Sequence, residues 1–224
     1  MNKSTNILLF LFSLPILAFT LAISFDMPLE IIKISGANLP YQKELFWSFA
    51  AIVFMLGARR SIRRWMGLRM VNQVTRFRWN KTMSLGRYRQ SNLYLILEGV
   101  LHLIMAYGFW TLTERSYPVV LAFSILGLDH LVFALLSSSK RWFRVGLTGK
   151  AIVVADRQVT AIYLQGLKAV SVQQESIFFD YGNDLQLDFP VSCIEQEDRQ
   201  SFREELEQVV NRNKVHFSDS FKSF

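Results

Sequence analysis

Four ionisable residues lie inside long apolar stretches of the sequence, where titratable side chains are costly and uncommon. Glu98 and His102 are four positions apart, a spacing that places both side chains on one face of a helix. Asp129 and His130 lie in the next apolar stretch, beyond a short turn at 114–117. Because His102 and Asp129 stand at nearly equal distances from that turn, two antiparallel helices would bring all four residues to neighbouring depths.

This group of residues fits three kinds of chemistry. The first is structural, because a histidine paired with a carboxylate neutralises charge and joins two helices. The second is a metal, ion or proton site, since carboxylates and imidazoles bind divalent metals and Glu-x-x-x-His puts two ligands on one face. The third is a haem held between the helices by the two histidines. A site shared with a partner subunit and a hydrated, interfacial Glu98 are further interpretations. The candidate residues are Glu98, His102, Asp129 and His130.

Recognisable catalytic motifs are absent from the sequence. It contains no Walker A loop, no GxGxxG, no GxSxG, no HExxH and no CxxC. The single cysteine, Cys193, excludes both an intramolecular disulfide and a metal cluster built on cysteines. These observations favour a non-catalytic protein and leave an enzymatic role open.

The composition is that of a membrane protein. The 224 residues are 51% hydrophobic and 19% charged, which excludes a disordered or collagen-like chain. Long apolar runs are concentrated within residues 1–139. The first run contains Pro15 and also resembles a cleaved signal peptide, although its length favours an uncleaved anchor. The sequence predicts a bundle of four transmembrane helices at about 7–25, 42–62, 93–113 and 118–139.

The segment between the second and third predicted helices is strongly basic. Residues 59–92 contain ten basic residues and no acidic one, whereas residues 140–224 carry eleven basic and twelve acidic residues. Because positive loops stay on the cytoplasmic side, a basic loop at 63–92 and both termini are predicted to be cytoplasmic. Aromatic residues within the segment could stack on RNA, but its place between membrane helices favours anionic lipid or an acidic partner. The predicted lipid- or partner-binding residues are Arg59, Arg60, Arg63, Arg64, Arg69, Arg76 and Arg78.

Residues 142–213 have a different character and predict a small cytoplasmic α+β domain. Short apolar or alternating runs, separated by turn signals, predict antiparallel strands. We place these strands at 151–155, 159–164, 167–172, 176–181 and 185–189. Four apolar residues at helical spacing then predict one amphipathic helix: Phe202, Leu206, Val209 and Val210. Residues 214–224 are predicted to form a loose tail.

A meander of strands closed by one helix resembles the PH-like domains attached to bacterial membrane proteins. The resemblance rests on Leu147–Lys150 at the entry to a strand, on a hairpin at Gly182, and on the helix Glu204–Val210. It covers residues 142–213, about a third of the chain. It implies a PH-like fold and a role in binding proteins or lipid headgroups, although the strands carry no basic pocket motif.

These features together predict an integral protein of a bacterial inner membrane, with an all-α four-helix bundle and a cytoplasmic α+β domain. We expect a non-catalytic accessory or scaffold subunit of a membrane protein complex. Its cytoplasmic face would bind membrane lipid and other membrane subunits, and nucleic acid is not expected. The alternative hypothesis is a transporter or membrane enzyme that handles a metal, a haem or a proton with the four residues of the apolar stretches.

Overall fold

The computed structural model describes residues 2–29, 33–182, 185–210 and 215–223. It divides into two compact units, each drawn from two stretches of the chain. The first unit, within residues 1–62 and 95–135, is mainly helical. The second unit, within residues 63–94 and 136–224, contains two larger sheets.

Long helices dominate the first half of the chain. They are α1 (Asn2–Ser24), α2 (Gln42–Val71), α3 (Leu85–Leu112) and α4 (Tyr117–Lys140). A short antiparallel pair, β1 (Pro28–Leu29) with β2 (Ile34–Ser35), lies between α1 and α2. Within the described residues, α2, α3 and the segment 114–140 are long and apolar enough to cross a membrane, whereas the apolar part of α1 at Leu11–Ser24 is shorter. The prediction of a helical membrane protein is thus confirmed for three helices.

Apolar side chains from all four long helices form the core of the first unit. Its buried members include Ile16, Phe46, Phe109 and Phe123. Aromatic contacts reinforce it, because the ring of Phe19 meets that of Phe46 edge-on with centroids 5.2 Å apart. The outward faces are also apolar, as expected of helices in lipid, with exposed side chains that include Leu101, Ile104, Leu128 and Leu135.

Helices α3 and α4 approach each other closely at a pair of glycines. A Cβ atom added at Gly99 would lie 3.1 Å from the carbonyl oxygen of Gly127. A Cβ atom added at Gly127 would lie 3.0 Å from the carbonyl oxygen of Gly99. Small residues let two helix backbones come this near. The crossing point therefore lies directly beside Glu98.

The basic segment at 63–92 is ordered into helix and strand rather than forming a loop throughout. Helix α2 continues to Val71 and α3 begins at Leu85, so both helices extend beyond the bounds that apolar residues alone predict. Between them lies β3 (Trp79–Thr82). Hydropathy misses these helical turns because they are amphipathic and rich in arginine, and the helical period is their only signal.

Two four-stranded sheets form most of the second unit. In the first, β3 pairs with β4 (Arg144–Leu147), which is followed by β5 (Ala151–Ala155) and β6 (Val159–Tyr163), all antiparallel. In the second, β7 (Leu167–Gln173), β8 (Ser176–Tyr181) and β9 (Gln186–Pro190) form an antiparallel meander. Strand β10 (His216–Phe217) adds to β7 in parallel. The predicted antiparallel sheet region is confirmed. Strands β3 and β4 were not predicted, because each has only four residues and β3 pairs with a strand far along the chain.

Helix α5 (Arg199–Val210) closes the sheets as predicted. It buries the four residues named from their spacing, Phe202, Leu206, Val209 and Val210. The ring of Phe202 meets Trp79 of β3 at 5.0 Å and Phe189 of β9 at 6.1 Å, so α5 contacts a strand of each sheet. The indole N–H of Trp79 also donates to the hydroxyl of Ser201 at 2.9 Å.

The prediction of a loose tail is wrong for residues 215–223. Strand β10 pairs with β7 and leads into α6 (Asp219–Lys222). The hydroxyl of Ser218 accepts from the backbone N–H of Phe221 at 3.2 Å, and the Phe221 side chain is fully buried. The buried ring of Phe221 holds this segment against the rest of the unit. The residues around Phe221 are mostly polar, so the sequence shows no apolar pattern that would predict this. Residues 211–214 and the turn residues 183–184 lie outside the described part of the chain.

Candidate functional site

Glu98 lies within the first unit, where side chains from α2, α3 and α4 converge. Nη2 of Arg60 donates to Oε2 of Glu98 at 2.7 Å, and Nε2 of His130 lies 3.3 Å from the same oxygen. The side chains of Arg60 and His130 are almost entirely buried, while that of Glu98 is 21% exposed. An unpaired buried charge costs roughly several kcal/mol, and the guanidinium of Arg60 supplies the opposite charge beside this carboxylate.

The two histidines of this group stack face to face. The ring centroids of His102 and His130 are 5.1 Å apart, and their planes differ by 21°. Each ring is fixed by its own helix: Nδ1 of His102 lies 2.6 Å from the carbonyl oxygen of Glu98, and Nδ1 of His130 lies 2.7 Å from that of Leu126. A carbonyl oxygen only accepts hydrogen bonds, so both Nδ1 atoms carry a hydrogen.

Asp129 is half-buried on α4. Its side chain leaves the helix about 100° away from that of His130, because successive residues turn by that angle. Within the described residues, no group of three or more His, Cys, Asp or Glu could hold a metal ion. Oε2 of Glu98 already accepts from Arg60, and the stacked ring faces of His102 and His130 do not present two nitrogens to one haem iron. The geometry therefore does not support the predicted metal or haem site.

Two of the arginines predicted to bind lipid or a partner are buried. Arg60 pairs with Glu98, and Arg64 is only 2% exposed. Both belong to a buried face of α2 marked by helical spacing, together with Val53, Gly57, Leu68 and Val71. That spacing was the signal which could have separated them from the surface arginines, whereas charge alone could not.

Another face of α2, in the second unit, is basic, apolar and exposed. We call Arg63, Met66, Arg69 and Met70 the basic face of α2, because they recur at helical spacing and are all exposed. Met66 is 66% exposed. Cations interleaved with apolar side chains on an open helix face are typical of a helix that lies in a membrane interface.

A groove of about 490 Å³ adjoins the basic face of α2. Its wall includes the indole rings of Trp65 and Trp142. The side-chain amide of Asn72 positions this wall, because it donates to the carbonyl oxygens of Leu68 at 2.8 Å and Trp142 at 3.1 Å. Tryptophan combines a large apolar ring with one polar N–H, which suits the boundary between lipid and water.

The other predicted arginines lie at the surface, and one of them has an acidic neighbour. Arg59 and Arg76 are exposed. Arg78 lies 3.9 Å from Glu205 of α5, and Lys81 of β3 lies 2.9 Å from Asp198. Acidic residues in and before α5 thus offset the positive charges of Arg78 and Lys81. The positive surface charge that remains is therefore concentrated on α2.

A second charge pair stabilises the second unit at the start of α3. Nη2 of Arg87 lies 3.1 Å from Oδ2 of Asp156, and the backbone N–H of Gln158 donates to Oδ1 at 2.8 Å. Burial raises the pKa of the Cys193 thiol to about 12, so this cysteine is neutral and a poor nucleophile at physiological pH. These contacts serve the fold and offer no reactive group.

Comparison of the chain with protein families, with curated proteins and with solved structures found no match. The features from which a function can be argued are therefore geometric. They are the buried group around Glu98 and the exposed basic face of α2.

Proposed function

We propose that the protein is a non-catalytic membrane subunit whose basic face of α2 lies on an anionic membrane surface. The observation that carries this proposal is the exposed alternation of Arg63, Met66, Arg69 and Met70. These residues follow on the same helix as a segment apolar enough to cross a membrane. The face anchors the second unit at the membrane, where that unit serves as a scaffold for other membrane subunits.

Electrostatic attraction and apolar burial both favour this contact. An arginine close to an anionic leaflet contributes about 1 kcal/mol. A methionine side chain contributes roughly 1.5–3 kcal/mol when it is fully buried. Because residues 59–92 contain no acidic side chain, nothing within that segment repels anionic headgroups. The basic face therefore combines the two attractions that hold an interfacial helix on a membrane.

The proposal includes four membrane-spanning helices, α1 to α4, in a bacterial inner membrane. The basic segment and both termini then lie on the cytoplasmic side, in agreement with the bias of positive charge toward that side. The exposed apolar side chains on the outer faces of α3 and α4 support their contact with lipid.

We also propose a PH-like fold for residues 142–213. The antiparallel strands β4 to β9 followed by α5 support this assignment. Strand β3, contributed by the segment between α2 and α3, extends the first sheet by one member. A PH-like domain suits the scaffold role, because such domains bind proteins or lipid headgroups.

Native mass spectrometry of the full chain tests the lipid contact. The protein is released from membranes that contain phosphatidylglycerol and phosphatidylethanolamine, and the retained lipids are identified. We expect the wild-type chain to retain phosphatidylglycerol and the Arg63→Gln/Arg69→Gln variant to lose most of it. The Lys150→Gln/Lys168→Gln variant is the matched control, since it removes the same charge from exposed residues outside α2.

Equal retention of phosphatidylglycerol by the wild-type chain and the arginine variant would contradict the proposal. So would equal loss in both double variants, because only total charge would then matter. A third outcome is that a second protein stays bound to the wild-type chain but not to the arginine variant, whether or not lipid is present. That result would assign the basic face of α2 to a protein partner and overturn the lipid contact.

A further inference from the structure

The side chain of His130 is placed so that a proton on its Nε2 atom lies between the ring and Glu98. Its Nδ1 already donates to the carbonyl oxygen of Leu126 at 2.7 Å. Its Nε2 is buried and lies 3.3 Å from Oε2 of Glu98. In a neutral ring with hydrogen on Nδ1, Nε2 carries a lone pair. A lone pair facing a carboxylate oxygen at this distance is repulsive, so this geometry favours a proton on one of the two atoms.

Arg60 determines whether the proton binds to Nε2 of His130 or to Oε2 of Glu98. Nη2 of Arg60 donates to the same Glu98 oxygen at 2.7 Å. An arginine guanidinium is permanently charged, and its hydrogen bond stabilises the ionised carboxylate over the neutral acid. The proton therefore belongs to Nε2 of His130, and Glu98 remains a carboxylate between two cations.

We infer that Arg60, Glu98 and His130 form a reversible proton-binding site, in which one proton from water adds to the lone pair of His130 Nε2. No other bond forms or breaks. The summed charge of the three side chains rises from zero to plus one when the proton binds. This inference stands independently of the lipid contact, since none of its residues belongs to the basic face of α2.

The remaining ionisable groups around the site limit it to one proton. Glu98 and His102 face His130 from α3, Arg60 faces it from α2, and Asp129 precedes it on α4. The part of α1 from Leu11 to Ser24 contains no ionisable side chain. A second imidazolium at His102 would lie 5.1 Å from the first, so like-charge repulsion opposes double protonation.

Proton occupancy is linked to the contact between α3 and α4. With the proton bound, His130 of α4 donates toward the carboxylate of α3. Without the proton, the same atoms repel each other. The backbones of α3 and α4 are in close contact at Gly99 and Gly127. No free space there allows the side chain of the neighbouring Glu98 to shift without moving one helix relative to the other.

Nuclear magnetic resonance of the full chain, with ¹⁵N-labelled histidine in lipid nanodiscs, tests the site without any substitution. The sequence contains three histidines, and His216 is exposed and serves as the internal reference. We expect Nδ1 of His130 to stay protonated throughout, while Nε2 gains a proton as the pH falls from about 9 to 5. An unprotonated Nδ1, or an Nε2 that does not change across this range in the folded protein, would overturn the inference.

Two matched variants identify the carboxylate. Glu98→Gln removes the negative charge beside Nε2, so we expect the proton affinity of His130 to fall by about tenfold or more. Glu114→Gln makes the same change at an exposed residue before α4 and should leave the titration of His130 unchanged. Unchanged titration in folded Glu98→Gln would overturn the pairing. If Glu98→Gln does not fold, the wild-type titration still decides the proposal.

Discussion

At the scale of single residues, neighbouring arginines of α2 have opposite environments. The side chains of Arg60 and Arg64 are almost entirely buried, whereas Arg63, which directly precedes Arg64, is exposed. The difference follows from the helical period, because the buried pair continues the row of apolar residues that packs inward. Net charge predicts a basic surface, and the period determines which of its members reach that surface.

Cys193 provides a prediction at this scale. Burial raises its pKa to about 12, so the folded chain should resist alkylation by iodoacetamide, with the extent of labelling measured by mass spectrometry. The unfolded thiol ionises near the ordinary value of about 8.5. Above that pH the unfolded chain loses the thiol proton while the folded chain keeps it, so the free energy of unfolding should fall as the pH rises. Below that pH the thiol is neutral in both states and should not affect stability.

The control places a thiol one position earlier. In Ser192→Cys/Cys193→Ser the cysteine occupies an exposed position and should be alkylated readily in the folded chain. If wild-type Cys193 is labelled as fast as this exposed thiol, then the Cys193 thiol is not buried in the folded chain.

At the scale of secondary structure elements, long apolar or alternating runs are the features that the sequence predicts well. The three apolar helices are marked by long apolar runs, the strands from β5 to β9 by short apolar or alternating runs, and α5 by a strong helical period. Strand β3 and the tail had no such signal, because one depends on pairing with β4 and the other on a single buried ring at Phe221. Local pattern cannot show a partner that lies far along the chain.

The crossing of α3 and α4 provides a prediction at the element scale. Gly99→Val inserts a branched side chain against the Gly127 carbonyl and the Leu131 side chain, so we expect a loss of about 1–3 kcal/mol in the free energy of unfolding. Thermal unfolding of the full chain in detergent measures this loss. Gly108→Val is the control, because a Cβ atom at Gly108 meets nothing within 4 Å. Equal destabilisation by both variants would show that the glycine contact is not responsible.

At the scale of the whole molecule, the chain forms one mainly helical unit and a second unit that contains the two larger sheets together with α5 and α6. The change in hydropathy after residue 139 predicted a second domain at 142–213, but it did not predict that residues 63–94 belong to the same unit as that domain. The sequence also predicted that Glu98, His102, Asp129 and His130 would lie at neighbouring depths, because they stand nearly symmetrically about the turn between α3 and α4. The structure brings Glu98, His102 and His130 together. The participation of Arg60 could not be predicted in the same way, since no turn of known length relates α2 to α3.

We propose above all that the basic face of α2 lies in an anionic membrane surface. A nitroxide on Met66→Cys, in the full chain with Cys193→Ser, measures this directly through its collisions with lipid-soluble oxygen and a water-soluble nickel chelate. A nitroxide on Lys150→Cys, at an exposed turn, is the control and should meet the nickel chelate in every vesicle.

We predict that the label at position 66 meets mainly oxygen in vesicles that contain phosphatidylglycerol. In vesicles of phosphatidylcholine alone, where the arginines lose their attraction, the same label should become more accessible to nickel. Equal and high accessibility to nickel in both kinds of vesicle would contradict the claim.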